Sequence, residues 1–261
     1  MKKYKPMIIG CGNQGAGANQ QPDERKIINF ADAFSRHPGF DKICFVDQKN
    51  RKAYDAMRKF GGWATTIRYA CEFLGAEIAI VTTPDDDHYM ALKQLAKYPL
   101  KLVICEKPLC TDLEQAREIV QLYRDKGIPL MCDYTRCFIP ELRELKNKNP
   151  QYGVCLFNRG WLHSGSHGVG FFKMLGIDKY KLTEVKEDYR VWDLAVMFED
   201  GTHWTEHRIK DEPVPEYYDN HMKYVVENAY NFLEGKEPIK CTGEDGLAVL
   251  EKCFELMEER K

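Results

Sequence analysis

The chain has 261 residues, with 38 basic and 40 acidic side chains and a formal charge of -2. That is enough chain for two modest domains, each with a core of its own, and too balanced a charge to recruit nucleic acid or an anionic membrane through a global field. No run of about 18 apolar residues is present, and the opening MKKYKPMIIGCGNQG breaks at glycines after a short apolar run; neither a membrane span nor a signal peptide is expected, and the protein reads as cytoplasmic.

In chain order, KPMIIGCG, DKICFVD, AEIAIVTTP, KLVICEKP and IPLMCDY are short apolar runs, the pattern of parallel strands covered on both faces. Between them INFADAFSRHP, QKNRKAYDAMRKFGG, HYMALKQLAKYP and LEQAREIVQLYRDKG carry apolar residues at helical spacing and end near Gly or Pro. This alternation predicts a Rossmann-type, doubly wound α/β domain over residues 1–134. After it, FIPELRELKNKNP predicts a helix, YGVCLFNRG a strand and SHGVGFFKMLGI a helix. KLTEVKEDYRVWDLAVMFEDGTHWTEHRI reads as a strand pair turning at Asp200 and Gly201, and NHMKYVVENAYNFLEG and GEDGLAVLEKCFELMEER close the chain as helices. Residues 135–261 are therefore expected to form a smaller α+β domain for substrate and oligomer contacts. The ten cysteines are scattered, mostly in apolar segments (Cys44, Cys71, Cys105, Cys155, Cys253), without a C-x-x-C pair, so reduced core thiols are expected rather than disulfides or zinc.

Directly after the first strand, IIGCGNQGAG places Gly10, Gly12 and Gly15 in G-x-G-x-x-G order. Glycines there permit a tight turn and close approach of backbone to a pyrophosphate, which the next helix N-terminus would stabilise. The second strand ends at Asp47, placed to bind adenosine ribose hydroxyls; the acid is expected about 20 residues beyond the loop, and the polar stretch ANQQPDERK accounts for the extra length as a loop. A carboxylate there favours NAD, while Lys49, Arg51 and Lys52 leave NADP open. The run VICEKPL then ends a strand in Glu106, Lys107 and Pro108. Ligands of open parallel sheets bind outside the carboxyl ends of strands, and a residue before proline is kept out of the helical region, so the Lys107 ammonium is expected over the crevice.

With these elements together, the sequence resembles the Gfo/Idh/MocA family of NAD(P)-dependent oxidoreductases, which act mainly on sugars, inositols and nucleotide sugars. The resemblance is carried, in order, by the glycine loop, TTPDDDHYMAL, EKPL, YTRCF with Arg136, HSGSH, and the closing NFLEGKEPIKCTGEDGLAVLE. It implies that the glycine loop and Asp47 hold the dinucleotide and that Thr83, Pro84, His88 and Glu106 line its nicotinamide end, with Arg136 also counted among the cofactor residues. It further implies that Lys107 is catalytic in moving a proton at the alcohol or carbonyl, and that His167 is the active-site histidine. The partners it implies are a small sugar, polyol or nucleotide sugar and a homo-oligomer of the chain.

His163 stands four residues before His167, where many family members carry an aspartate, and a helical spacing of four lets both imidazoles serve one substrate hydroxyl. A zinc reading is weaker: H-x-x-x-H supplies two ligands, but Ser164 replaces the glutamate of H-E-x-x-H and no third ligand is evident, so no metal is expected. Hydrolase chemistry through Ser164 or Ser166 lacks a G-x-S-x-G elbow. Trp161, Trp192 and Trp204 read as core. Two departures from the family pattern favour an alternative, a noncatalytic dinucleotide-binding sensor or accessory protein: Gly170 stands where many relatives have an acid, and the second domain is short.

Overall fold

The computed structural model describes residues 3–17, 26–186, 191–209 and 215–259. The greater part of the polar stretch ANQQPDERK, residues 18–25, lies outside the described residues, as does the link at 187–190 within the expected strand pair.

Six parallel strands form the first sheet: β1 (Pro6–Ile9), β2 (Cys44–Val46), β3 (Trp63–Ala64), β4 (Ile78–Val81), β5 (Leu102–Glu106) and β6 (Leu130–Asp133), in the order β3-β2-β1-β4-β5-β6. Every residue of β1, β4, β5 and β6 is buried, which is why these strands read as continuous apolar runs rather than alternating ones. The covering helices are α1 (Asn13–Ala16), α2 (Phe30–Arg36), α3 (Asn50–Phe60), α4 (Ile67–Glu72), α5 (His88–Leu95) and α6 (Leu113–Lys126). Side-chain caps start three of them, with Asn29, Thr66 and Asp112 accepting from the third helical residue, and left-handed Gly127 stops α6. The doubly wound α/β expectation holds, with two additions. The strand β3 and the helix α4 were not expected; two and six residues are too few to display a period.

The expected helix following the glycine loop is also different. It is the single turn α1, closed by Gly17 in the left-handed conformation, and the next described helix starts only at Phe30. So short a helix sums few peptide dipoles, and an anion at this loop would be held by the backbone groups of the turn.

The second part of the chain builds a four-stranded mixed sheet. After α7 (Pro140–Glu144) come β7 (Pro150–Phe157), α8 (Ser166–Leu175), β8 (Tyr180–Glu184), β9 (Val191–Phe198) and β10 (His203–Ile209), in the order β10-β9-β7-β8. The hairpin at Asp200 and Gly201 joins β9 to β10 as expected, while KLTEV is a separate strand, β8, parallel to β7. The helices α9 (His221–Leu233) and α10 (Gly243–Glu258) return to the first sheet. The former packs on α2, and the latter on α6, β6 and α8. A capping box between Thr242 and Asp245 starts α10, and Thr242 bridges to Met131 of β6. Among the described residues no helix is long and apolar enough to cross a membrane, and no three His, Cys, Asp or Glu residues are grouped to hold a metal ion.

Candidate functional site

In the first sheet the strand order reverses direction between β1 and β4, and their carboxyl ends open the crevice where ligands of doubly wound sheets bind. The glycine loop lies there. Gly10 has φ +94° and a Cβ on it would stand 2.5 Å from the Thr82 carbonyl oxygen, and one on Gly15 would stand 2.0 Å from the Gly10 carbonyl oxygen, so side chains are excluded at both. A Cβ on Gly12 would meet nothing within 4 Å, leaving that part of the turn open to an incoming group. Three strand ends clamp the loop: Gly10 N donates to Val46 O (2.8 Å), Thr82 N to Ile9 O (2.8 Å), and Thr82 Oγ1 to Gly10 O (2.6 Å). Asp47 is tied to it as well, accepting from Cys11 N and from Lys49 N at 2.8 Å each. Each carboxylate oxygen keeps a second lone pair for a ribose hydroxyl. The buried Thr83 Oγ1 has no protein partner. The side-chain-free turn, the tethered acid and this orphan hydroxyl fit a dinucleotide at this edge.

Next along the edge, Glu106 ends β5 and Asp133 ends β6, in register with one another and both buried. Burial raises both carboxyls, Glu106 well above its usual range with the charge of Asp133 adding to the effect, and Asp133 to about 7. Glu106 Oε1 and Asp133 Oδ2 have no donor partner. Burial disfavours ionisation of either carboxyl, and the charge of one disfavours that of the other, so the two do not both ionise readily.

Lys107 is 9% exposed, and its Nζ crosses to the second sheet's side to donate to the main-chain oxygen of His163 at 3.1 Å. His163 sits in a π-helical turn, Trp161–Gly165, that leads into α8. The chain enters this turn through Arg159 (φ +69°) and Gly160 (φ +85°), a strained reversal of the kind found beside functional groups. The His163 ring reaches back to the first sheet, with Nδ1 3.1 Å from Asp85 Oδ2. His167, on the first turn of α8, is flanked edge-on by Tyr134 (6.2 Å between centroids) and Trp192 (5.9 Å). Lys107 and His163 are thus brought into direct contact, while His167 stands in its own aromatic setting.

Two residues that the resemblance implies at the cofactor are engaged with protein groups. His88 is fully buried, its ring nitrogens 2.7 Å from Pro108 O and 3.1 Å from Thr83 O. Burial lowers it from the ordinary histidine value, and on a neutral ring one nitrogen carries a hydrogen, so it donates to one of these two carbonyls and packs against the other. Arg136 is also buried: Nη2 donates to Glu206 Oε1 at 2.7 Å, and its guanidinium stacks 4.5 Å from the Trp192 ring centre. Glu206 in turn accepts from the hydroxyls of Tyr217 and Tyr218. A buried charge is kept where partners exist, and for Arg136 those lie in the second sheet.

The structure explains Gly170. A Cβ there would lie 3.0 Å from Cδ1 of the fully buried Tyr134 ring, so the place of the relatives' acid is filled by an aromatic side chain. Gly170→Asp is expected to destabilise the protein by about 2–4 kcal/mol, because it both overpacks Tyr134 and buries a carboxylate without a partner; the midpoint of urea unfolding measures it. Sequence reasoning missed Thr82, Asp85, Asp133, Tyr134 and Trp192 as neighbours of the site. Of these, Thr82 and Asp85 lie inside TTPDDDHYMAL and Tyr134 inside YTRCF, so these three carried a local signal, whereas Asp133 and Trp192 lay outside those motifs.

Residues 6–134 match the Gfo/Idh/MocA model, described as an oxidoreductase family with an NAD-binding Rossmann fold. No curated protein matches the chain. Among solved structures the chain is similar to GenD2 from gentamicin A biosynthesis in complex with NAD (TM-score 0.75, 15% identity, 97% of this chain and 93% of that one). It is also similar to the UDP-N-acetylglucosamine 3-dehydrogenase GnnA from Acidithiobacillus ferrooxidans (TM-score 0.70, 13% identity, 98% and 97%). A third is KijD10, a 3-ketoreductase from Actinomadura kijaniata in complex with NADP (TM-score 0.69, 15% identity, 95% of each chain). At these identities the likeness is one of fold.

Proposed function

Since residues 6–134 belong to the Gfo/Idh/MocA oxidoreductase family with its NAD-binding Rossmann fold, we propose that the protein is an NAD(P)-dependent dehydrogenase or reductase. Its substrate is a sugar, polyol or nucleotide sugar, converted between a carbinol and a carbonyl. Residues 1–134 hold the coenzyme and residues 135–261 supply the substrate wall. The observation that carries the reading is the buried Lys107 ammonium on the carboxyl edge that also bears the glycine loop, bonded to the His163 backbone.

The bound nicotinamide coenzyme supplies the hydride acceptor, or the donor in reverse. The chain's own residues do the rest. Gly10, Gly12 and Gly15 admit the pyrophosphate to the backbone, Asp47 orients the adenosine ribose, and Thr83, Pro84 and Glu106 border the nicotinamide end. His88 and Arg136 act at a distance, the first by fixing the Thr83 and Pro108 backbones and the second by anchoring Trp192 beside His167. Lys107 holds positive charge against the substrate oxygen as its proton leaves, and of the two imidazoles, His163 and His167, one takes that single proton. Asp47 favours NAD, and the exposed Lys49, Arg51 and Lys52 at the start of α3 accommodate NADP.

The test is the absorbance of reduced nicotinamide with purified protein, NAD(H) or NADP(H), and a panel of polyols, sugars and nucleotide sugars. A change abolished in His167→Ala is expected. Coenzyme binding by calorimetry without any substrate-dependent change would support the noncatalytic sensor instead, a reading favoured by the Tyr134 ring in place of the acid at Gly170.

A further inference from the structure

With Gly170 closed to a carboxylate, another acid stands beside a histidine of this site. Asp85 lies on the connection between β4 and α5, and its Oδ2 is 3.1 Å from His163 Nδ1. The contact spans the two sheets, and the same histidine is held through its main-chain oxygen by Lys107. The charged and titratable groups facing this pair are Lys107 from β5's end and His88 from α5. Burial by itself would raise the Asp85 carboxyl. The hydrogen bond from His163 and the charge of Lys107 overcome it and hold the group below its usual range. An ionised carboxylate has no proton to donate, so the hydrogen in this contact belongs to His163 Nδ1. On a neutral ring that leaves Nε2 as a bare lone pair, and the His163 side chain is 57% exposed.

We propose that Asp85 is a positioning residue: by taking the hydrogen bond from Nδ1 it fixes His163 in the tautomer whose Nε2 accepts the substrate's hydroxyl proton. The inference rests on the oxidoreductase reading. In the oxidative direction the substrate O–H bond breaks and its proton passes to His163 Nε2. The O–H electron pair forms the second bond of the carbonyl, and the carbinol hydrogen departs with its pair as hydride to the oxidised nicotinamide. Orientation of an imidazole by a carboxylate on its far nitrogen is the logic of catalytic triads, here assembled from two sheets.

The tautomer can be read without substrate, from long-range nitrogen–proton NMR spectra of the histidine-labelled protein, with His163→Gln assigning the signal. Native protein is expected to show a protonated Nδ1 and a bare Nε2. In Asp85→Ala the ring is expected to revert to the Nε2–H form preferred in water, with kcat lowered about 10- to 100-fold and KM within a fewfold. Asp85→Asn keeps an acceptor oxygen and is expected to retain the tautomer, with kcat between the two. Coenzyme binding checks that each variant is folded. An Nε2–H ring in the native protein, an unchanged tautomer in Asp85→Ala, or a changed tautomer with full kcat would each overturn the proposal. Native protein with no turnover on any substrate would instead defeat the oxidoreductase reading and the proton role with it, and the spectra would then decide the Asp85–His163 contact by itself.

Discussion

Lys107→Ala is expected to lower kcat by about 10²- to 10⁴-fold, the range spanned by a positioned proton-transfer group, while the coenzyme still binds within a fewfold of its native Kd. Two consequences of the structure add up in this variant. The ammonium that would face the developing charge on the substrate oxygen is lost, and the main-chain oxygen of His163 loses the Lys107 donor at 3.1 Å, while the His163 ring keeps its contact with Asp85. The glycine loop is untouched, because its clamps come from Val46, Ile9, Thr82 and Asp47. Lys107→Arg is not expected to rescue turnover: the planar guanidinium is larger, and this side chain is almost wholly enclosed. Steady-state kinetics and titration of the fluorescence of reduced nicotinamide separate the two effects. Turnover within tenfold of native in Lys107→Ala would remove this residue from the proton path.

Asp133→Asn is expected to make the protein more stable at neutral and alkaline pH, with no gain in acid. The Asp133 carboxyl is raised from 3.8 to about 7 by burial, with Glu106 beside it in register. Below about pH 4 the carboxyl is protonated in folded and unfolded chains alike, and it costs nothing. Between about pH 4 and 7 the unfolded chain releases this proton while the folded chain keeps it, so native stability falls as pH rises. Above about pH 7 the penalty is complete, and a shift of about three units sets an upper bound near ~4 kcal/mol. The amide cannot ionise, and its oxygen keeps the bond from Thr135 Oγ1, 3.1 Å in the native protein. A gain of about 2–4 kcal/mol at about pH 8, shrinking to nothing near about pH 4, is the expected pattern in urea unfolding. A variant less stable than native at the higher pH would show that the buried Asp133 carboxylate carries no such penalty.

Much of the first sheet was legible because its signals are local. A strand buried on both faces must be apolar throughout, a helix against it must be apolar every three or four residues, and a turn at φ +94° excludes every residue but glycine at low cost. KPMIIGCG, DKICFVD and KLVICEKP therefore marked their strands, and the order of the motifs placed Gly10, Asp47, Thr83 and Lys107 on one edge. The strand β3 and the helix α4 escaped because they are shorter than one repeat of their patterns. Arg136 and His88 were expected at the coenzyme from the resemblance, but burial decided their partners. No local rule says that an arginine after β6 will meet a glutamate 70 residues on, or that a histidine will end with both nitrogens against backbone.

The chain's sequence by itself determined the α/β architecture, the glycine turn, the edge on which chemistry gathers and the residue types available there, since each follows from period, backbone sterics or chain order. Tertiary structure alone decided the pairings. Asp85 meets His163 across 78 residues, Glu106 meets Asp133 because two strands align in register, and Tyr134 fills the space beside Gly170. Those contacts depend on how two sheets and their helices pack. A side chain's protonation and orientation are set by the groups that packing brings within a few ångströms, whatever their distance along the chain.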